Sequence, residues 1–391
     1  MVINEQQIRL TQVTIGVSGS SSIVRKPKVL LVGPYPPPYG GIAMIVRDML
    51  ESPLSTSVDL RLMRTLSPKG GSSSLTGDSL ARAIMDFYSL IKELARFRPN
   101  IVHIQTSYDW GWPKHVMFAL VSKMFGAKVI LHIHGHYKLC KEMFPKTKLR
   151  RFIFTPKTAF NLADHIFTLS DGFTNNILAC YPGKKVTTIY NCIMMAKYLD
   201  ANKKVRGERV VVSYIGRLEK RKGIRELLDV VERVSKQRND ITFKIAGIGP
   251  EKQYVEDWIC HSAASSALEY LGFISEEDKI RLLRETDIFV LQSTNEGNPI
   301  SILEAIASGC AIISTPVGSI ADVVFHMRNG LMIEPEDPDA LHKAILQLCE
   351  DRRMLERMQR ENLTYRSRYS MEKMSENIAE IYASLVGDYN I

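Results

Sequence analysis

The sequence predicts an α/β chain of two domains, each built on a parallel sheet with helices on both faces. Three observations carry this expectation. Short apolar runs that end at glycine or a polar turn alternate with helix-period segments along most of the chain. The alternation stops at the polar, aperiodic stretch 200–208, which reads as a linker. It then restarts as it began, with a strand, a glycine-bearing loop and a helix. A chain of 391 residues is long enough for two cores. The expected division is a loose arm over 1–26, a first Rossmann-like domain over 27–199, the linker, and a second over 209–391 that includes the final helix.

In order, Lys28–Gly33 reads as a buried strand, followed by a Pro-rich loop to Gly40-Gly41 and a helix from Ile42. Ile101–Ile104, Val129–Ile133, Ile166–Leu169 and Val186–Ile189 read as further strands, with helical segments such as Ala81–Phe97 between them. The second series is Val210–Ile215, Ile241–Ala246, Leu268–Leu271, Ile288–Leu291 and Ala311–Ser314. Ile224, Leu227, Leu228, Val231 and Val234 form one apolar stripe of an intervening helix. A last helix is expected over Glu372–Leu385.

Composition narrows the class. No run approaches the roughly 18 apolar residues of a membrane span, and Gln6, Gln7 and Arg9 interrupt any secretory leader core. The six cysteines are dispersed without a C-x-x-C pair, which favours reduced thiols and a cytoplasmic setting. The net charge of +9 divides unevenly, +13 in residues 1–200 and −4 in the rest. Lys138–Lys157 is densest, with seven cations, one acid (Glu142) and the interleaved Phe144, Phe152 and Phe154. Such a segment suits an anionic membrane surface or a nucleic-acid backbone, or is simply a solvated face. No nucleic-acid-reading motif accompanies it.

Five motifs bear on chemistry. Gly40-Gly41 opens a helix after the first strand, where backbone can approach an anion or merely turn. Gly216 to Gly223 repeats that placement, with Arg217, Lys220, Arg221 and Lys222 between the glycines. It reads as a phosphate loop or a solvated charge run. His132, His134 and His136 close a strand without a carboxylate or cysteine nearby to complete a metal shell, so hydrogen bonding to a polar substrate fits better than zinc. Asp337-Pro338 before a helical pattern is explained by capping. Finally, Glu296 on a polar turn and Glu304 in the helix after it could be an acid–nucleophile pair. Because both belong to one loop–helix unit, they more naturally line one wall and grip the hydroxyls of a ligand such as a nucleotide sugar.

The ordered set resembles the retaining glycosyltransferases of family 4, which have the GT-B fold: two Rossmann-like domains facing each other across a donor/acceptor cleft. The resemblance is strongest over Val210–Ile333, in G-R-L-x-x-x-K-G, in E-G-N-P-I-S-I-L-E, and in the following A-x-x-x-G-x-x-I-I-x-T-x-V-G. It is weaker over Lys28–Asn191, in P-x-x-G-G and the H-G after a strand. It implies a donor site of Gly40, Gly41, Arg217, Lys222, Phe273, Ile274, Glu296, Asn298, Ile300, Ser301 and Glu304. Arg217 and Lys222 would hold the diphosphate, Glu304 the ribose, Glu296 the sugar, and Phe273-Ile274 would flank the base. His134 would sit near the reacting carbon; with Glu296, Arg217 and Lys222 it makes up the catalytic set. No metal and no cofactor beyond the nucleotide-sugar donor are implied.

The expected partners are a UDP- or GDP-linked sugar, a lipid-linked or oligosaccharide acceptor and the anionic inner face of the plasma membrane, with no nucleic acid. The expected pathway class is lipopolysaccharide, exopolysaccharide or similar surface-glycan synthesis. A nucleotide-sugar epimerase of the same fold, or a non-catalytic sugar-nucleotide-binding protein, are the other readings. Pro299 departs from the family pattern, because it removes a backbone N–H that many members aim at the donor phosphate.

Overall fold

The structure is a computed structural model, and it describes residues 26–37, 41–65, 77–107, 112–134, 155–202 and 209–387. The N-terminal arm, Gly40, His136 and nearly all of Lys138–Lys157 lie outside the described residues.

The first sheet comprises β1 (Lys28–Gly33), β2 (Asp59–Arg64), β3 (Ile101–Thr106), β4 (Lys128–Ile133), β5 (His165–Thr168) and β6 (Val186–Thr188), in the order β2-β1-β3-β4-β5-β6. The second comprises β7 (Val210–Ile215), β8 (Ile241–Ala246), β9 (Leu268–Gly272), β10 (Ile288–Leu291), β11 (Ala311–Ser314) and β12 (Gly330–Met332), in the order β12-β11-β10-β7-β8-β9. Every strand pair is parallel. Strands buried on both faces read as continuous apolar runs, and β10 and β11 are buried throughout. The edge strands β2 and β12 escape sequence reading for the complementary reason. DLRLMR is largely uncovered, and GLM is too short to show a period.

Each sheet winds outward in both directions from a central pair, β1/β3 in the first and β7/β10 in the second. At such a pair the helices leave to opposite faces and a crevice opens at the carboxyl ends. The loops that carry the sequence motifs follow β7 and β10. Gly223 has φ +74°, and a Cβ there would lie 2.3 Å from the Gln292 carbonyl oxygen, so the loop after β7 closes directly onto the end of β10. Helix starts follow the expected capping logic: Asp337 accepts from the Ala340 N–H at 2.8 Å with Pro338 in the first turn.

The final helix corrects the sequence reading. It spans Met371–Val386, and it does not join the second core. Met371, Met374, Ile378 and Tyr382 pack with Val29, Leu31 and Ile130 of the first sheet and with Ile45 and Met49 of the helix Gly41–Glu51. The crossing is fixed by backbone pairing, with the Ile193 N–H donating to the Tyr369 carbonyl at 3.0 Å and the Met371 N–H to the Ile193 carbonyl at 3.0 Å. Helical periodicity states that a face is apolar but not which sheet covers it. Met195–Asn202, overlapping the expected linker, is a 3-10 segment whose Met195 and Tyr198 belong to the second core. Cys192, Cys260, Cys310 and Cys349 are free thiols, whereas Cys180 is disulfide-bonded, against the expectation of reduced thiols throughout. Sequence spacing does not report which thiols approach within bonding distance.

Because Ile378 is fully buried in the first core, Ile378→Ala is expected to lower unfolding free energy by about 2–5 kcal/mol. Urea denaturation followed by circular dichroism measures this. A loss below about 1 kcal/mol would contradict the assignment of this helix to the first core.

Candidate functional site

The site grows from the β7/β10 crevice. Lys222 ends the loop after β7, and Glu296 sits in the turn after β10. Burial of both side chains, 15% and 7% exposed, draws the ammonium onto the Glu296 carboxylate. The same oxygen, Oε1, accepts from Ser293 Oγ at 2.7 Å. A buried carboxylate held by a cation and a hydroxyl keeps its direction. Gly318 (φ +61°) is pressed against this turn: a Cβ would lie 2.1 Å from the Glu296 carbonyl oxygen. Arg217 is placed differently. Its guanidinium is 67% exposed and shares Glu219 with Arg221, at 2.8 and 2.6 Å. The loop backbone is held by the Leu218 N–H on the Ile248 carbonyl at 3.1 Å and by the Tyr214 hydroxyl on the Arg217 carbonyl at 2.9 Å.

Glu304 lies in the helix Ile300–Ala307, which starts just after Pro299. The Lys279 ammonium and the Tyr198 hydroxyl (3.1 Å) both donate to its Oε1. Burial raises the Glu304 pKa above the usual carboxylate range, against the lowering pull of Lys279. The two acids thus stand on one wall, each with its own lysine. The N–H groups of Ile300 and Ser301 have no acceptor among the described residues, because first-turn donors lack an intrahelical partner and Pro299 contributes none. Ile300, Ser301 and Glu304 line a cavity of about 240 Å³ together with Gly216, Lys279 and Arg47. Arg47 comes from the first domain, on the helix Gly41–Glu51, and its guanidinium stands 3.7 Å from Glu276 of the second.

Across the cleft, His134 follows β4. Its backbone carbonyl would lie 3.2 Å from a Cβ on Gly297, so the Glu296-Gly297 turn and the end of β4 meet closely. Asn298, expected to face a donor, also joins the two halves. Its side-chain amide donates to Ser319 Oγ, and its backbone carbonyl accepts from Asn191 Nδ2 at 2.7 Å. Phe273 is 70% exposed and Ile274 packs on the second core; neither lines the cavity. Gly41 is the exposed first residue of its helix.

Comparison with known proteins agrees with this arrangement. The family described as Glycosyl transferases group 1 matches residues 197–364, and Glycosyltransferase Family 4 matches 68–197. The chain belongs to the group 1, family 4 glycosyltransferases, and its two facing sheets are the GT-B fold. The glycosyltransferase MJ1607 of Methanocaldococcus jannaschii is 25% identical over 199 residues, 48% of this chain and 51% of that one. Glycogen synthase of Mycobacterium tuberculosis is 24% identical over 258 residues, 65% of this chain and 61% of that one. The chain therefore spans between half and about six tenths of these relatives' lengths. In fold it is similar to Anabaena HepE in complex with UDP (TM-score 0.69, 20% identity, 91% of this chain and 100% of that one). The sucrose-phosphate synthase of Thermosynechococcus elongatus gives a TM-score of 0.73 at 16% identity, covering 92% and 99%.

In this GT-B chain the residues that the sequence reading passed over are Ser293, Lys279, Tyr198, Arg47 and Gln105. Lys279 and Arg47 sit on ordinary amphipathic helices, where a lysine or arginine carries no signal. Gln105 had one: it is a buried polar residue near the carboxyl end of β3, beside the β1/β3 crevice, on a strand that also buries His103 and Thr106. It accepts from His134 Nε2 at 2.5 Å. His103, His132 and His134 stack in a row, with ring centroids 5.4 and 4.3 Å apart. Desolvation holds His103 and His134 down to about 3 and pushes His132 well below the usual imidazole range. The ring nitrogens of His132 have no hydrogen-bond partner among the described residues.

These imidazoles stay neutral when folded, whereas the unfolded chain protonates them below about pH 6.5. Their stabilisation is therefore complete above that value and is lost as pH falls from about 6.5 toward 3. Between pH 7 and 4 the melting temperature is expected to drop, and His132→Leu should shrink that drop. An equal drop in both proteins would contradict the neutral stack.

Proposed function

We propose that the protein is a retaining glycosyltransferase that moves a sugar from a UDP- or GDP-linked donor to a hydroxyl of a lipid-linked or polysaccharide-precursor acceptor. The observation that carries the reading is the single wall holding Lys222–Glu296 and Glu304 at the β7/β10 crevice, with His134 facing it. Its chemistry suits a nucleoside diphosphate sugar. Lys222 has three donors and can hold Glu296 and a phosphate oxygen together. Arg217, exposed and able to leave Glu219, adds a planar fork. Glu304 accepts from ribose hydroxyls as Lys279 and Tyr198 shift, and Glu296 accepts from the sugar. The free N–H groups of Ile300 and Ser301 supply the donors that Pro299 removes.

As the anomeric bond breaks, negative charge grows on the departing diphosphate. Preplaced cations and N–H donors stabilise that charge more than they stabilise the bound ground state. The incoming hydroxyl attacks from the face that the phosphate leaves, and the phosphate oxygen takes its proton, so configuration is retained without a protein nucleophile or a metal ion. A fully neutral His134 hydrogen-bonds to the sugar rather than exchanging its proton.

Support for the donor class comes from HepE structures described with UDP and with UDP-glucose. Support for surface-glycan synthesis comes from the colanic acid biosynthesis glycosyltransferase WcaL of Salmonella typhimurium, 23% identical over 190 residues, 46% of this chain and 47% of that one. The cationic surplus of residues 1–200 fits an acceptor at an anionic membrane. No helix among the described residues is long and apolar enough to cross one.

Lys222→Ala is expected to lower kcat by about 10²-fold, and Glu304→Ala to weaken nucleotide-sugar binding by about tenfold or more. Turnover of a panel of UDP- and GDP-sugars with product chromatography measures both. Water-derived sugar or an epimer as the only product would reject the transferase reading. In a separate assay the protein is expected to sediment with anionic liposomes at low salt and to be released at high salt. Failure to bind at low salt would remove the membrane clause.

A further inference from the structure

The final helix returns to the first domain and places a phenol beneath the cleft. Tyr382 and His103 are both fully buried, and the Tyr382 hydroxyl lies 2.6 Å from His103 Nδ1. The chain of contacts continues toward the substrate side. Gln105 Nε2 stands 3.2 Å from His103 Nε2, and Gln105 Oε1 stands 2.5 Å from His134 Nε2. We infer that Tyr382 is a positioning residue for the transfer reaction, fixing through His103 and Gln105 which nitrogen of His134 faces the cleft as an acceptor. The inference rests on the glycosyltransferase reading above for its activity readout only.

The polarity of the chain follows from the amide in its middle. An amide nitrogen only donates, so His103 Nε2 accepts and the His103 proton resides on Nδ1. That N–H donates to the Tyr382 hydroxyl oxygen. The amide oxygen only accepts, so His134 donates from Nε2 and its Nδ1 carries a lone pair. Met49 Sδ, 3.9 Å from Gln105 Nε2, is a second, weak acceptor on the nitrogen side and favours the same orientation. His134 Nδ1 has no partner among the described residues; the residue is half-buried, and its backbone carbonyl lies against the Glu296-Gly297 turn. The stacked His132 ring limits rotation of the His134 ring. The result is a neutral acceptor aimed at a hydroxyl of the donor sugar or of the acceptor. The helix that sets it lies some 250 residues away in sequence, |i−j| being 279 for the Tyr382–His103 contact.

Tyr382→Phe keeps the ring and removes the oxygen. The His103 N–H then loses its acceptor in a dry site, which favours the opposite tautomer and an inverted amide. For this variant kcat is expected to fall about tenfold while donor KM changes less than about twofold. Nitrogen-15 NMR of histidine-labelled protein, which needs no substrate, is expected to show wild-type His134 protonated at Nε2 alone and the variant as a mixture. Gln105→Met, which severs both links at once, should reproduce the mixture and the lower kcat. It also serves as the readout if Tyr382→Phe does not fold. A variant with a lower melting temperature but unchanged kcat and a single His134 tautomer would make Tyr382 merely structural and overturn the inference. Wild-type His134 protonated at Nδ1 would overturn it as well. If the wild type shows the expected tautomer but turns over no nucleotide sugar, the transferase reading fails and the tautomer assignment stands.

Discussion

The buried Lys222–Glu296 pair is the contact on which the second half of the molecule turns. Removing either partner leaves an uncompensated charge in a site where 7% of Glu296 reaches solvent, a change that costs about 3–5 kcal/mol in comparable pairs. The pair ties the loop after β7 to the turn after β10, the two loops at the centre of the doubly wound sheet. Its geometry requires two glycines. Gly223 lets the first loop lie on the Gln292 carbonyl, and Gly318 lets the chain after β11 lie on the Glu296 carbonyl. Side chains at those positions would push the loops apart and separate the charges. A contact that alone would add little stability thereby holds the two loops at a fixed separation.

The two acids differ in what they are ready to do. Glu296 is gripped by a cation and a serine hydroxyl inside the wall, whereas Glu304 meets Lys279 and Tyr198 at the edge of the cavity, where Arg47 arrives from the other domain. Both sheets also contribute the same structural position, the carboxyl ends beside their central strand pair. The first sheet offers Gln105 and His134 there, and the second offers Lys222 and Glu296. The facing of two such crevices makes one site out of two similar domains, and backbone contacts at Gly297 and Asn298 hold them together.

The first sheet meets a different constraint. Three imidazoles stand in a row where ionisation is disfavoured, and both nitrogens of His103 and Nε2 of His134 are satisfied by a tyrosine and a glutamine rather than by acids. Burial keeps His134 neutral, and the Gln105 amide fixes its direction.

Much of this was legible in the chain itself. Parallel strands covered on both faces must be apolar along their length, so ten of the twelve described strands could be marked from the apolar pattern alone, and the glycine–cation loop and E-x7-E spacing marked the wall that carries Lys222, Glu296 and Glu304. The structure left Arg217 outward on Glu219, turned Asn298 into an interdomain tie, and kept Phe273 and Ile274 off the cavity. Those outcomes depend on neighbours distant in sequence. So do the lysine beside Glu304, the tyrosine under His103 and the sheet chosen by the final helix. Local sequence determines which segments form strands and helices and where glycine must bend the chain, because these follow from backbone sterics and burial period. Only the tertiary structure decides which charges meet and which core a helix completes, because both depend on surfaces hundreds of residues apart.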